Sequence, residues 1–134
     1  MRSIKFPDTK TGKQTRIIGQ AAAHEIRHQL QRSRSVYVFP GDFGEGYFVA
    51  LPRVLARVLK RSRIEGVSLH TLRHTFASLA AEMGFTELTI AGLLGHPSRG
   101  VTQRYIHIDE ALALAADKVS AKMRQLLDCG DLKA

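Results

Sequence analysis

Gly84 and Gly95 punctuate the stretch whose fold the residues fix most tightly. From Ser68 to Gly84 the apolar positions Leu72, Phe76, Leu79, Ala80 and Met83 recur at helical spacing, and Ser68 stands where a hydroxyl caps a first turn. Ile90, Leu93 and Leu94 mark a second helix that ends at Gly95, because glycine readily takes the left-handed turn that stops a helix. The chain therefore bends where His96 sits.

The other segments fill in a mainly helical fold. Ile4 and Phe6 alternate with polar neighbours, as do Thr15 and Ile17, and DTKTGK between them supplies turn chemistry with Gly12 free to take a positive φ. That predicts a hairpin. An alanine-rich stretch from about Gln20 to Arg32 reads as a helix, Val36 to Phe39 as a short apolar strand ended by Pro40-Gly41, and GDFGEG as a loop. Leu51, Val54, Leu55, Val58 and Leu59 obey the spacing of an amphipathic helix. Its other side carries Arg53, Arg57, Lys60 and Arg61, a stripe that either contacts DNA phosphates or is an ordinary solvated face. Ser98 is placed to cap a short helix carrying Val101 and Tyr105, and Glu110 to Leu127 reads as a long final helix with Leu112, Ala115, Ala116, Val119, Met123 and Leu126 on one stripe. The class is α+β, mainly α-helical with a small N-terminal β-hairpin. At 134 residues and 44% hydrophobic, the chain has one core and no room for a second domain.

Chemistry concentrates in HTLRHTFASLAAEMGFTELTIAGLLGHPSRGVTQRY. An HxxR step puts His70 and Arg73 on one helix face, so both point at one anion, and the first turn of a helix itself favours a phosphate. Tyr105 is the candidate nucleophile. A phenol has a pKa near 10, so it needs a proton acceptor and nearby cations. Of the three tyrosines only Tyr105 follows a histidine-bearing turn; Tyr37 sits in the apolar strand and Tyr47 after a glycine loop. His74, four residues after His70, has the spacing of a second zinc ligand, but Thr71 stands where an HExxH glutamate would be. It reads as a packed or hydrogen-bonded helix residue, with no metal implied.

His70-Thr-Leu-Arg73-His74, then Leu93-Leu94-Gly95-His96, then Thr102 and Tyr105 resemble the HxLRH, LLGH and T..Y signatures of the tyrosine recombinases, the phage integrase family, in that family's order and at about its spacings. The resemblance runs back to DTKTGK, positions 8–13, where the family carries an active-site lysine in a β-hairpin, and forward through the helix after Tyr105. It implies an integrase-like catalytic core over residues 1–134, with a hairpin at 2–18, a helical core at 20–106 and a tail helix at about 108–127. It implies site-specific recombination or integration: Tyr105 attacks the scissile DNA phosphate to give a 3′-phosphotyrosyl link and a free 5′-hydroxyl, and a second strand's 5′-hydroxyl reverses the step without ATP or a cofactor. By the same resemblance Arg73 stabilises the phosphorane, His70 accepts the tyrosine proton or binds the phosphate, His96 donates to a non-bridging oxygen, and Lys10 protonates the leaving oxygen. Lys13 shares that turn and spacing alone does not separate the two, although Lys10 fits the family's lysine position. The four residues His70, Arg73, His96 and Tyr105 are expected to face one cleft, with the Lys10 turn at its rim.

The resemblance also carries departures. The family's first catalytic arginine lies upstream of the hairpin, where no arginine stands here, and its separate DNA-clamping domain is missing. The expectation is a part of a longer recombinase, whose tail helix docks on a neighbouring protomer in a DNA-bound tetramer. A non-catalytic DNA-binding remnant, a type IB topoisomerase-like enzyme and a helical scaffold with a chance motif match are the rival readings. The compact LLGH-to-tyrosine spacing is closer to the integrases than to the topoisomerases.

Charge agrees with double-stranded DNA as the partner. Twenty Lys+Arg against twelve Asp+Glu give a net +8, the balance of a domain held against a polyanion, although ribosomal, membrane-surface and heparin-binding proteins share it. The one cysteine, Cys129, makes no intrachain disulfide and fits a reducing, cytoplasmic setting. No apolar run approaches the roughly 20 residues a bilayer requires, and MRSIKFPDTK has no signal-peptide core.

Overall fold

A computed structural model describes residues 2–9, 12–41, 46–95 and 107–130. Strands β1 (Ser3–Phe6) and β2 (Gln14–Ile17) pair antiparallel, with Ser3 opposite Ile17 and Phe6 opposite Gln14. Gly12 takes φ +91° in their connection and donates its N–H to the Thr9 carbonyl at 2.9 Å, so the turn uses the freedom that only glycine has there. Among the described residues five helices follow: α1 (Gln20–Arg32), α2 (Leu51–Ser62), α3 (Leu69–Glu82), α4 (Glu87–Leu94) and α5 (His107–Gly130). The mainly helical class with a small antiparallel sheet is as the periodicity predicts. No helix among the described residues is long and apolar enough to cross a membrane.

The chain divides into two compact units, Met1–Ala23 with Phe76–Ala134, and His24–Thr75. The first holds the core. Ala23, Ala80, Ala115, Ala116 and Val119 are buried, and α5 lies against β2 and α4. These are small residues, so the elements approach closely and few atoms separate their backbones. Gly19 is buried beneath α5, where an added Cβ would lie 2.7 Å from Ser120 Cβ and overlap the Ala116 carbonyl. The Leu112 side chain covers Gly92 of α4 in the same way, 2.8 Å from where a Cβ would stand. Two strands alone are marginal in water, and the α5 contact supplies the cover they need.

The stripe predicted for the final helix is present but only partly covered. Ala115, Ala116 and Val119 are buried within the chain's own unit, whereas Leu126 and Leu127 are exposed. These three positions are thus already packed within the chain's own unit, while Leu114 in the same stretch is exposed.

In the second unit, among the described residues, no side chain is fully buried. α2 is amphipathic as predicted, yet Leu51, Val54 and Val58 are exposed and only Leu55 and Leu59 are half-buried. Leu72, expected on the buried stripe of α3, is likewise 48% exposed. A unit this short, with most of α1, all of α2 and the start of α3, has too little chain to cover them. The segment from Val36 to Phe39 is not the predicted strand. Ser33 Oγ donates to the Tyr37 carbonyl at 2.7 Å, and the Ser35 and Tyr37 N–H groups donate to Ser33 Oγ and Ser35 Oγ at 3.2 and 3.3 Å. These hydroxyls give the backbone local partners that compete with a ladder, and Val36 is left 92% exposed. Among the described residues of this part, strand pairing is the antiparallel bridge of Pro40 to Tyr47.

Candidate DNA strand-transfer site

The site begins at the start of α3, which the sequence builds with a reciprocal cap. The Thr71 N–H donates to Ser68 Oγ at 3.2 Å, and the Ser68 N–H donates to Thr71 Oγ1 at 3.1 Å. Thr71 thus takes the part that a glutamate or glutamine has in the usual capping box. This fixes the first two turns that carry His70 and Arg73, both exposed and one turn apart on the same face. An anion brought there meets an imidazole, a guanidinium and the positive end of a helix together.

His70 has two neighbours that limit its ring. It meets His74 edge to face, with centroids 4.5 Å apart and planes at 86°. It also lines an open, mostly apolar groove of about 370 Å³, together with Pro52, Leu55, Ala56 and Leu59 of α2 and with Val67 and Leu69. His74 is therefore an exposed residue whose ring packs against that of His70. No group of three His, Cys, Asp or Glu able to hold a metal occurs among the described residues.

Lys10, His96 and Tyr105 lie outside the described residues, as do Ser98, Val101 and Thr102. Lys13 is exposed just ahead of β2. Arg53, Arg57, Lys60 and Arg61 are all exposed on α2. The charge is uneven: residues 24–75 hold nine lysines and arginines against four acids, so the unit that carries His70 and Arg73 is the more basic for its length. That unevenness suits phosphate contact around the HxxR pair.

The LLGH turn has a second layer that sequence reading missed. Thr86 caps α4 by accepting the Thr89 N–H at 3.3 Å, and Gly95 closes it at φ +71° with its N–H directed to the Ala91 and Gly92 carbonyls. A Cβ built on Gly95 would overlap the guanidinium of Arg16. That guanidinium donates to Gln14 Oε1. Gln14 and Arg16 are alternate residues of β2, which places both on the face shared with Ile4 and Phe6. The only sequence signal was a half-buried strand with two polar residues in that period.

Residues 1–111 match the family model described as "Phage integrase family". Tyrosine recombinase XerD of Listeria monocytogenes serotype 4b is 33% identical over 101 residues, covering 72% of this chain and 34% of the relative. Tyrosine recombinase XerC of Pelobacter propionicus is 40% identical over 70 residues, 52% of this chain and 23% of the relative. Tyrosine recombinase XerD of Agrobacterium fabrum is 39% identical over 98 residues, 68% of this chain and 29% of the relative. The chain thus spans about a third of the length of the first of these relatives. No solved structure matches it significantly.

Proposed function

The chain belongs to the phage integrase family, and from that membership we propose that it breaks and rejoins DNA strands in site-specific recombination. Tyr105 Oη attacks the scissile phosphorus while its proton passes to His70. The bond from phosphorus to the 5′-oxygen breaks, and Lys10 gives that oxygen a proton. The products are a 3′-phosphotyrosyl diester and a free 5′-hydroxyl; attack by another 5′-hydroxyl runs the step backwards and restores Tyr105. One diester replaces another, so no cofactor or nucleotide is consumed. Arg73 spans two oxygens of the phosphorane with its planar fork, and His96 donates to a non-bridging oxygen. Arg53, Arg57, Lys60, Arg61 and Lys13 hold the flanking duplex by its phosphates. The partners are double-stranded DNA and further copies of the recombinase, assembled as a tetramer on the DNA.

The observation that carries this reading is the exposed His70 and Arg73 pair at the capped start of α3. The test uses a nicked duplex from which the 5′-hydroxyl fragment diffuses away, so that cleavage is trapped. A denaturant-stable protein–DNA adduct with the wild type, absent with Tyr105→Phe, is the expected result. DNA binding with no adduct would establish the non-catalytic remnant instead.

A further inference from the structure

We propose that Arg16 is a positioning residue for this site and acts through the turn at Gly95; the inference rests on the reading given under Proposed function. Its guanidinium fills the volume that any side chain at residue 95 would need. Gly95 is required by its φ of +71°, and a Cβ there would also have to push aside the guanidinium lying over it. The guanidinium stands at the C-terminal end of α4, where the helix dipole favours a cation, and Gln14 Oε1 fixes its plane. This arrangement suits a clamp better than a contact to DNA. A helix C-terminus repels a phosphate, and Arg16 is half-buried with a donor already engaged.

The consequence concerns two catalytic groups at once. β2 follows the turn that carries Lys10 and Lys13, and one peptide bond separates Gly95 from His96. Arg16 ties the strand of the first to the helix end that leads into the second. Lysine at position 16 would bring the charge without the planar fork that covers Gly95 and still reaches Gln14.

Two measurements on the full chain test this. Hydrogen exchange at the Gly95 N–H should be about tenfold faster in Arg16→Ala than in the wild type, with the Val119 amide little changed. Unchanged exchange at Gly95 overturns the proposal. Single-turnover formation of the covalent adduct should fall by about tenfold or more in Arg16→Ala, with DNA affinity within about twofold, because misplacement and not binding is at fault. In a His96→Ala background the same substitution should cost less than about threefold, since residues acting through one another are not additive. A full, additive loss there, or a salt-dependent loss of DNA affinity with normal exchange at Gly95, overturns the positioning role. Arg16→Met keeps the aliphatic stem and serves if the alanine variant unfolds; the same exchange criterion applies. If the wild type forms no adduct, the reading under Proposed function fails, and exchange at Gly95 still decides whether Arg16 clamps the turn.

Discussion

The guanidinium of Arg2 and the carboxylate of Asp117 meet at 2.5 Å, joining residues 115 positions apart. Asp117 also accepts the Gln20 N–H at 2.7 Å, so a side chain of α5 caps the first residue of α1. Neither Ile18 nor Gly19 has a side-chain oxygen with which to do so. One carboxylate therefore binds the start of β1, the start of α1 and the middle of α5 together.

Asp117→Ala removes both links and should lower stability by about 1–2 kcal/mol in urea denaturation, where an exposed pair alone would contribute less than about 1 kcal/mol. Both side chains are about a third exposed, which keeps the ion-pair share small. Asp117→Asn retains an acceptor for the Gln20 N–H and should lose about half as much. Equal losses for the two variants would assign the effect to the charge alone.

Gly19→Ala should be more damaging. The new Cβ would meet Ser120 Cβ and the Ala116 carbonyl, and the carbonyl belongs to a helix that cannot move without leaving the core. Overpacking against backbone costs about 2–3 kcal/mol, against a gain of under about 1 kcal/mol from the reduced freedom of the unfolded chain. A midpoint at or above that of the wild type would show that α5 does not sit as closely on Gly19 as described.

The two units should answer core truncation differently. Val119 is wholly buried, so Val119→Ala removes two methyl groups from a packed site and should cost about 2 kcal/mol. Val58 is 52% exposed on α2, and Val58→Ala should stay within about 0.5 kcal/mol, partly offset by alanine's helix propensity. Comparable losses at the two positions would mean that α2 is covered in solution.

What the sequence disclosed was local. The Ser68 cap, the HxxR step and the left-handed glycine at 95 are signals of short range, and each lies where the residues predicted. The motif order also led to the family. The Asp117 links, the α5 seat on Gly19 and the Arg16 cover over Gly95 join distant segments, and no spacing rule reaches that far. The stripe of α2 shows the converse limit, because periodicity says that a helix has an apolar side and not what lies against it. At Val36–Phe39 apolar content suggested a strand, but the hydroxyls of Ser33 and Ser35 hold the backbone in bends.

The basic side of α2 gives the last prediction. Arg53 and Arg57 are exposed one turn apart, so both can reach phosphates of one strand. Each phosphate contact releases about one counterion, and affinity for duplex DNA falls with salt at a slope of about 0.9 per contact. The double variant Arg53→Ala, Arg57→Ala should therefore reduce that slope by about 1.8 and weaken binding most at low salt. Removing two charges from α5 instead, with Lys118→Ala and Arg124→Ala, changes the net charge equally and should leave the slope nearly intact. Measured by titration of a labelled duplex across a salt series, equal effects of the two pairs would make the binding a response to overall charge. An unchanged curve for the α2 pair would leave that stripe an ordinary solvated face.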